Sequence, residues 1–292
     1  MVYTYKNELV NLRKHYEGDP LQKRFSVLIT GRTGSGKTYL LRTARRPIHI
    51  DSFDPGGTKC LRDLIASGDV VADTRWESED PFAPTAFDKW KGSTERRLAM
   101  GYFDHFGTYC LDSATTWGDA AMNDQLKSRS EAGNVPNWGK DYVPQKVAMV
   151  NYIKKLMHLK CDFFLTGHLR EIEEVLSVDP KTNIAHKRIE YRFFTTGQAV
   201  VTIPLLFDEL YVLIARETSG GLDRRLLVEA QGKYIARSRL KGKGILNAEE
   251  PADIKALLKK IGLPSEDKPK LDFTLDEEDK GGDSEPKANE IK

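Results

Sequence analysis

Residues 31–38 read Gly31-Arg32-Thr33-Gly34-Ser35-Gly36-Lys37-Thr38, an unbroken phosphate-loop motif behind the apolar run 25–29 and ahead of Tyr39-Leu40-Leu41. Strand, glycine loop and helix start follow in the order the motif requires, so this segment constrains the fold more than any other. The loop works only where a strand delivers it to a helix N-terminus, whose free N–H groups and dipole favour an anion. Glycine lets the main chain approach phosphate oxygens closely. Lys37 is expected to reach the β- and γ-phosphates of ATP, and the Thr38 hydroxyl to hold a Mg²⁺ that bridges them. Residues 31–38 with Tyr39 thus form the expected nucleotide site.

The rest of the 292 residues supports a globular chain with a real core, since 39% of it is hydrophobic. No apolar stretch approaches the roughly 20 residues needed to span a bilayer, and the first residues lack an apolar signal region, so a cytoplasmic protein without a membrane partner is expected. Three scattered cysteines, Cys60, Cys110 and Cys161, fit no metal or disulfide framework. Cys110 and Cys161 read as small core residues. The net charge of +2 hides an asymmetry: residues 265–292 carry ten acids against five lysines, which leaves the preceding body at +7. This tail has few apolar groups to bury and is expected to be disordered, either as a solubilising terminus or as a mimic of nucleic-acid charge.

Strand-like runs at 26–30, 48–51, 108–112, 162–166, 209–215, 225–229 and 234–238 alternate with helical segments at 85–100, 143–159 and 247–260. That alternation predicts an α/β fold, a mainly parallel sheet with helices on both faces and antiparallel strands at its C-terminal edge. In the second helix, Val147, Val150, Ile153, Leu156 and Met157 share one face at period 3.6. Gly262 is the stop signal of the last helix. The expected division is an N-terminal segment (1–23), a core (24–240), a C-terminal helical segment (241–264) and the tail.

Two long polar connections, 122–142 and 171–196, interrupt the pattern. The first holds Lys127, Arg129, Trp138, Lys140 and Tyr142; the second holds Lys181, His186, Lys187, Arg188, Tyr191, Arg192, Phe193 and Phe194. Basic side chains interleaved with aromatics suit single-stranded nucleic acid, through phosphate neutralisation and base stacking. They equally suit a solvated hairpin whose aromatics pack on the body.

A phosphate loop needs a second carboxylate at the end of a nearby strand to order the Mg²⁺ shell, and the run 106–113 supplies Asp112. Residues 48–54 end another strand with Asp51 and Asp54. Asp54 lies beyond the strand end, where it reaches the crevice at the sheet's carboxyl edge, and is favoured over Asp51 for polarising water. Asp51 reads as a turn cap. His168 ends the strand at 162–166 on the same edge, placed to sense the γ-phosphate or to serve only as a structural histidine.

The order of these pieces resembles the core of the RecA-like recombination ATPases: Leu111-Asp112-Ser113-Ala114, a loop, a helix, Gly167-His168-Leu169-Arg170, and a second loop closing at Thr195-Thr196-Gly197-Gln198-Ala199. The resemblance implies that both loops line a single-stranded DNA path and that His168, where many members carry Gln, links γ-phosphate to the second loop. It also implies that Arg237 and Arg239 cross a subunit interface to a neighbour's γ-phosphate, in a homo-oligomer with ATP between subunits. More narrowly, residues 201–210 are similar to phage-encoded AAA-type, RecA-like proteins that accompany single-strand annealing and single-strand-binding proteins. Asp54 stands where the family commonly has Glu, and no N-terminal polymerisation segment is recognised. Two alternatives stay open: a nucleotide-gated adaptor that loads a helicase or recruits a single-strand-binding protein, and a small-molecule or nucleotide kinase with Arg188 and Arg192 on a lid.

Overall fold

The structure is a computed structural model describing residues 4–178, 185–195, 199–242 and 244–274. Lys181, the side chain of His186, and positions 196–198 and 275–292 lie outside the described residues, so the tail expectation beyond 274 does too.

Helix α1 (Tyr5–Gly18) opens the chain, N-capped by the Thr4 hydroxyl, which accepts from Asn7 N–H, and it buries none of its residues. Strand β1 (Ser26–Gly31) runs into the loop and the short α2 (Lys37–Leu40), followed by β2 (Ile48–Ser52), α3 (Arg62–Ala66) and β3 (Val70–Asp73). Helix α4 (Ala86–Ala99) leads to β4 (Thr108–Asp112), and helices α5 (Ala114–Ser128) and α6 (Tyr142–Leu156) lead to β5 (Asp162–Val178). The chain then turns back along β6 (Ala185–Phe193), crosses in α7 (Ala199–Leu206), and closes with β7 (Glu209–Thr218), β8 (Gly221–Leu227), β9 (Arg237–Ser238), β10 (Glu249–Pro251) and α8 (Ile254–Ile261).

The sheet order is β10-β8-β7-β1-β5-β4-β2-β3. The six strands from β7 to β3 are parallel, while β8, β9 and β10 pair antiparallel at the C-terminal edge. Side chains alternate across a strand, and here both faces are covered, which is why these strands read as continuous apolar runs. Leu28, Tyr109, Phe163 and Leu165 meet α4 to α7 on one face. Val27, Ile29, Ile50 and Phe164 meet α2, α3 and α8 on the other. Cys110 and Cys161 are fully buried, as read from the sequence.

Several expectations need correction. Helix α5 occupies the start of the segment expected to be a loop from 122 to 142, leaving 129–141 as the connection. On α6 the buried face is Gln145, Met149, Val150, Ile153 and Leu156; Val147 is exposed. The polar stretch 171–196 is largely the antiparallel β5–β6 arm, since β5 continues well past the sheet edge. The apolar run that follows the second loop forms helix α7. Finally, the start of the tail grips the body: Arg45 Nε donates to the Glu266 carbonyl at 3.0 Å and Lys268 N–H to the Arg46 carbonyl at 2.8 Å.

Asp51 is no turn cap. Its fully buried carboxylate accepts from Trp76 Nε1 (3.1 Å), Trp90 Nε1 (3.0 Å), Tyr109 OH (2.8 Å), Arg97 Nη1 (2.9 Å) and His49 Nε2 (3.3 Å). Burial alone would push its carboxyl up, but the charges of His49 and Arg97 and the hydrogen bonds of His49 and Tyr109 hold it well below its usual range. Asp51→Ala leaves the Trp76, Trp90, Tyr109 and His49 donors unmet in the core and removes one of the two carboxylates that Arg97 holds, and should cost about 3–5 kcal/mol in urea unfolding at pH 7. A carboxyl depressed in the folded state stabilises above its unfolded value, so the difference between wild type and variant should fade as pH falls below about 4.

Candidate functional site

Parallel register carries four strand ends to one edge. Gly31 of β1 pairs with His168 of β5, and Ser52 of β2 pairs with Asp112 of β4. Beyond Gly31 the loop needs glycine geometry: Gly34 and Gly36 have φ of +80° and +97°, a region that L side chains rarely adopt. A Cβ on Gly31 would come within 2.5 Å of Ser35 Oγ. The loop therefore folds tightly onto its own strand before releasing into α2.

Lys37 bends back over this loop, buried, with Nζ donating to the carbonyls of Gly31 (3.2 Å) and Arg32 (3.3 Å) and lying 3.5 Å from His168 Nδ1. Burial lowers its ammonium below the usual lysine value, against the opposing pull of Asp112 and Asp54. The Thr38 hydroxyl donates to Asp112 Oδ2 at 2.6 Å, and Thr166 Oγ1 donates to the other carboxylate oxygen. Asp112 is fully buried, and burial raises its carboxyl despite these two bonds and the nearby Lys37.

Asp54 stands beside this pair. Its Oδ1 accepts from Ser113 Oγ (2.9 Å) and Thr116 Oγ1 (2.5 Å), and its Oδ2 lies 3.5 Å from His168 Nε2. Burial is the largest influence and pushes its carboxyl up, but the bonds from His168, Thr116 and Ser113 and the charge of His168 outweigh it. Glu77, which sequence reasoning missed, fixes the turn that presents Asp54: it accepts from Ser52 Oγ (2.7 Å) and Gly56 N–H (2.8 Å). A lone glutamate 23 positions downstream in a polar segment carries no local signal of that role.

His168 joins the loop to the arm. Its ring touches Lys37 and Asp54, its N–H donates to Thr115 Oγ1 (3.3 Å), and its carbonyl accepts from Phe194 N–H (2.8 Å). Thr115 Oγ1 in turn donates to the Phe194 carbonyl at 3.1 Å. Arg32, at the loop's tip, donates to Tyr191 OH on β6 (2.7 Å), and Tyr191 stacks on Tyr234 with ring centroids 5.1 Å apart.

The other expected residues divide. Phe193 is only 5% exposed and packs so closely over Gly167 that a Cβ there would lie 2.4 Å from the ring, so it belongs to the core and not to a stacking surface. Phe194 is 40% exposed, with the Arg170 guanidinium 5.9 Å from its ring centroid. Lys127 donates to the Pro84 carbonyl (2.8 Å), and Arg129 is clamped between Asp141 and Glu131. Trp138 is exposed and packs against Tyr142 with centroids 4.8 Å apart. On the arm, Lys187 pairs with Glu173 (2.7 Å), and Arg188 (2.6 Å) and Arg192 (2.8 Å) share Glu190. Within this single chain Arg237 donates to the carbonyls of Pro204 and Phe207, both at 3.0 Å, and Arg239 pairs with Asp208 at 3.1 Å.

One strand, β5, separates the phosphate-loop strand β1 from the acid strand β4, and helices cover both faces. The chain has an α/β fold, a mainly parallel sheet with helices on both faces and antiparallel strands at its C-terminal edge. No protein-family model matches it, and no curated protein matches its sequence. Among solved structures it is similar to a KaiC-like protein from the hyperthermophilic archaeon Pyrococcus horikoshii OT3, with 12% identity, coverage of 73% of this chain and 81% of that one, and a TM-score of 0.37. Among the described residues no helix is long and apolar enough to cross a membrane.

The two neighbouring phenylalanines can be told apart by stability alone. Phe193→Ala should cost about 3–5 kcal/mol in chemical unfolding by leaving a cavity, whereas Phe194→Ala should change stability by less than about 1 kcal/mol.

Proposed function

We propose that the chain is a Mg²⁺-dependent ATPase, and the observation that carries this reading is the Thr38–Asp112 bond at 2.6 Å beneath the loop that Lys37 spans. The residues fit the nucleotide and its ion. Ser35 Oγ is buried in the loop without a hydrogen-bond partner, and Asp112 is a buried carboxylate whose only direct partners among the described residues are two hydroxyls. Both are groups that a phosphate and a cation would satisfy. Thr38 and Asp112 would hold Mg²⁺, which neutralises charge developing on the phosphoryl oxygens. Lys37 and the loop N–H groups would bind the phosphates.

Asp54 is the group that orients water. A carboxylate held ionised by three donors accepts a proton poorly but fixes a hydrogen-bonded water well, and phosphoryl transfer asks mainly for positioning. His168 is positioned to register what lies against Lys37 and to pass it through Phe194 to the β5–β6 arm. Binding of single-stranded DNA along that arm, in support of phage recombination or annealing, rests on the resemblance and on the exposed Phe194, Lys187, Arg188 and Arg192. A homo-oligomer with Arg237 and Arg239 serving a neighbour's site would require both arginines to leave the carbonyls they now hold.

A second reading, the nucleotide-gated adaptor acting with a single-strand-binding protein, is favoured by the ion pairs that already occupy the arm's cations and by the burial of Phe193. ATP hydrolysis measured across a protein titration, with and without single-stranded DNA, separates the two. The recombination ATPase should be stimulated by single strands and gain specific activity with concentration; slow turnover indifferent to DNA supports the adaptor. Lys37→Ala should lower turnover about 100-fold or more, and an active variant would sink the phosphate-loop assignment.

A further inference from the structure

On the side of α2 away from the arm, β8 lays one arginine across the phosphate loop. Arg224 Nε donates to the Ser35 carbonyl at 3.2 Å, and its guanidinium carbon lies 5.4 Å from the Tyr39 ring centroid. A Cβ on Gly36 would come within 2.7 Å of that Nε, so the same glycine that shapes the loop also leaves room for the arginine. The other arginines of the β7–β8 hairpin are neutralised: Arg216 pairs with Glu249 at 2.7 Å and Arg225 with Asp223 at 2.9 Å. Arg224 is half-buried and has no carboxylate within ion-pair distance among the described residues. Strand alternation turns it to the face opposite its two neighbours, toward the loop.

Behind this pair lies a cavity of about 220 Å³, lined by Tyr39, Leu40, Thr43 and Arg224 and closed by residues 251–253 at the start of α8. It is smaller than the roughly 300–1,000 Å³ of pockets that enclose whole drug-sized ligands, and suits one flat ring system. It begins at Tyr39, one residue past Thr38, and Arg224 in its wall reaches back to the Ser35 carbonyl of the loop. The Arg42 and Arg224 guanidinium carbons each lie 5.4 Å from the Tyr39 ring centroid, so the planar surface in the cavity wall is the Arg224 guanidinium backed by the Tyr39 ring, and planar π-faces stack on bases of any identity.

We infer that Arg224 and Tyr39 form the platform on which the base of the bound nucleoside triphosphate stacks, with the cavity beside α8 as the base site. The inference rests on the proposed nucleotide-binding role of the loop. It makes Arg224 a binding residue for the base, distinct from the phosphate-holding Lys37, and makes the β7–β8 hairpin part of the nucleotide site.

The test measures binding by titration calorimetry on the full chain, with MgATP and with Mg-tripolyphosphate, which has the phosphates but no base. Wild type, Lys37→Ala, Arg224→Ala, Arg224→Lys and Tyr39→Leu are compared after thermal unfolding confirms that each is folded. Arg224→Ala and Tyr39→Leu should each weaken MgATP at least about tenfold, near 1.4 kcal/mol, and leave tripolyphosphate affinity within about twofold. Arg224→Lys, which keeps the charge but loses the plane, should behave like the alanine variant. MgATP affinity unchanged in Arg224→Ala and Tyr39→Leu overturns the inference, as does an equal loss for tripolyphosphate or full rescue by lysine. Those results leave the loop's role intact so long as Lys37→Ala has lost both ligands; wild type failing to bind MgATP would instead sink the loop's role and this inference together.

Discussion

The carboxylate of Asp112 ties together the three strands on which the site depends. One oxygen takes the hydroxyl of Thr38 from the end of the phosphate loop, and the other takes that of Thr166 from β5. A buried carboxylate without a cation is costly, and burial indeed raises its carboxyl above the usual value. Stability alone would favour an apolar residue at the end of β4, as its other residues are buried in the core. Under the proposed Mg²⁺-dependent role the cost is intelligible as preorganisation: an acid already desolvated and already bonded to the hydroxyl that would share the ion needs little rearrangement to hold it.

The same tie explains why the neighbouring groups converge. With β5 lodged between β1 and β4, the end of β5 cannot avoid the loop, and His168 falls opposite Gly31. Its ring then spans from Lys37 to Asp54, while its backbone belongs to the strand that runs on as the arm. The histidine that touches Lys37 thus sits one residue before Leu169, where the pairing with β6 begins. Arg32 makes a parallel connection through Tyr191 and Tyr234, so the loop touches the arm at two points, through a histidine and through an aromatic stack. Two attachments fix the arm's direction where one would leave a hinge.

Much of this was legible in the sequence because it is local. The loop, Asp112 at a strand end, His168 on the same edge and the Gly262 stop each follow from a few adjacent residues, and β4 runs over 108–112 as read. What escaped is set by distant partners. Asp51 looks like any strand-terminal acid until Trp76, Trp90 and Arg97 of α4, and Tyr109 of β4 arrive from three separate segments. Phe193 and Phe194 are chemically identical, and only Gly167 on the facing strand decides which is core. Helix α5 hid because Ala, Gly and Trp supply its buried face without a long aliphatic repeat. Val147 misled because five apolar residues suggested one face, whereas Gln145, whose Nε2 donates to the Gly118 carbonyl at 2.6 Å, took the buried position.

The two basic segments now differ in physical standing. Arg129 holds a fully buried Asp141 and Lys127 satisfies a backbone carbonyl, so withdrawing either cation to serve a phosphate would leave a buried partner unmet. The arm's Lys187–Glu173 pair is different: both side chains are exposed, and exposed ion pairs in water hold their partners weakly, whereas Glu190, which Arg188 and Arg192 share, is mostly buried. A polyanion that releases its own counterions can replace Glu173 on Lys187 at little expense to the fold. Under the proposed function, a nucleic-acid contact therefore belongs to the β5–β6 arm, whose base carries the exposed Phe194 bonded to the histidine that touches Lys37, and not to the 129–141 connection.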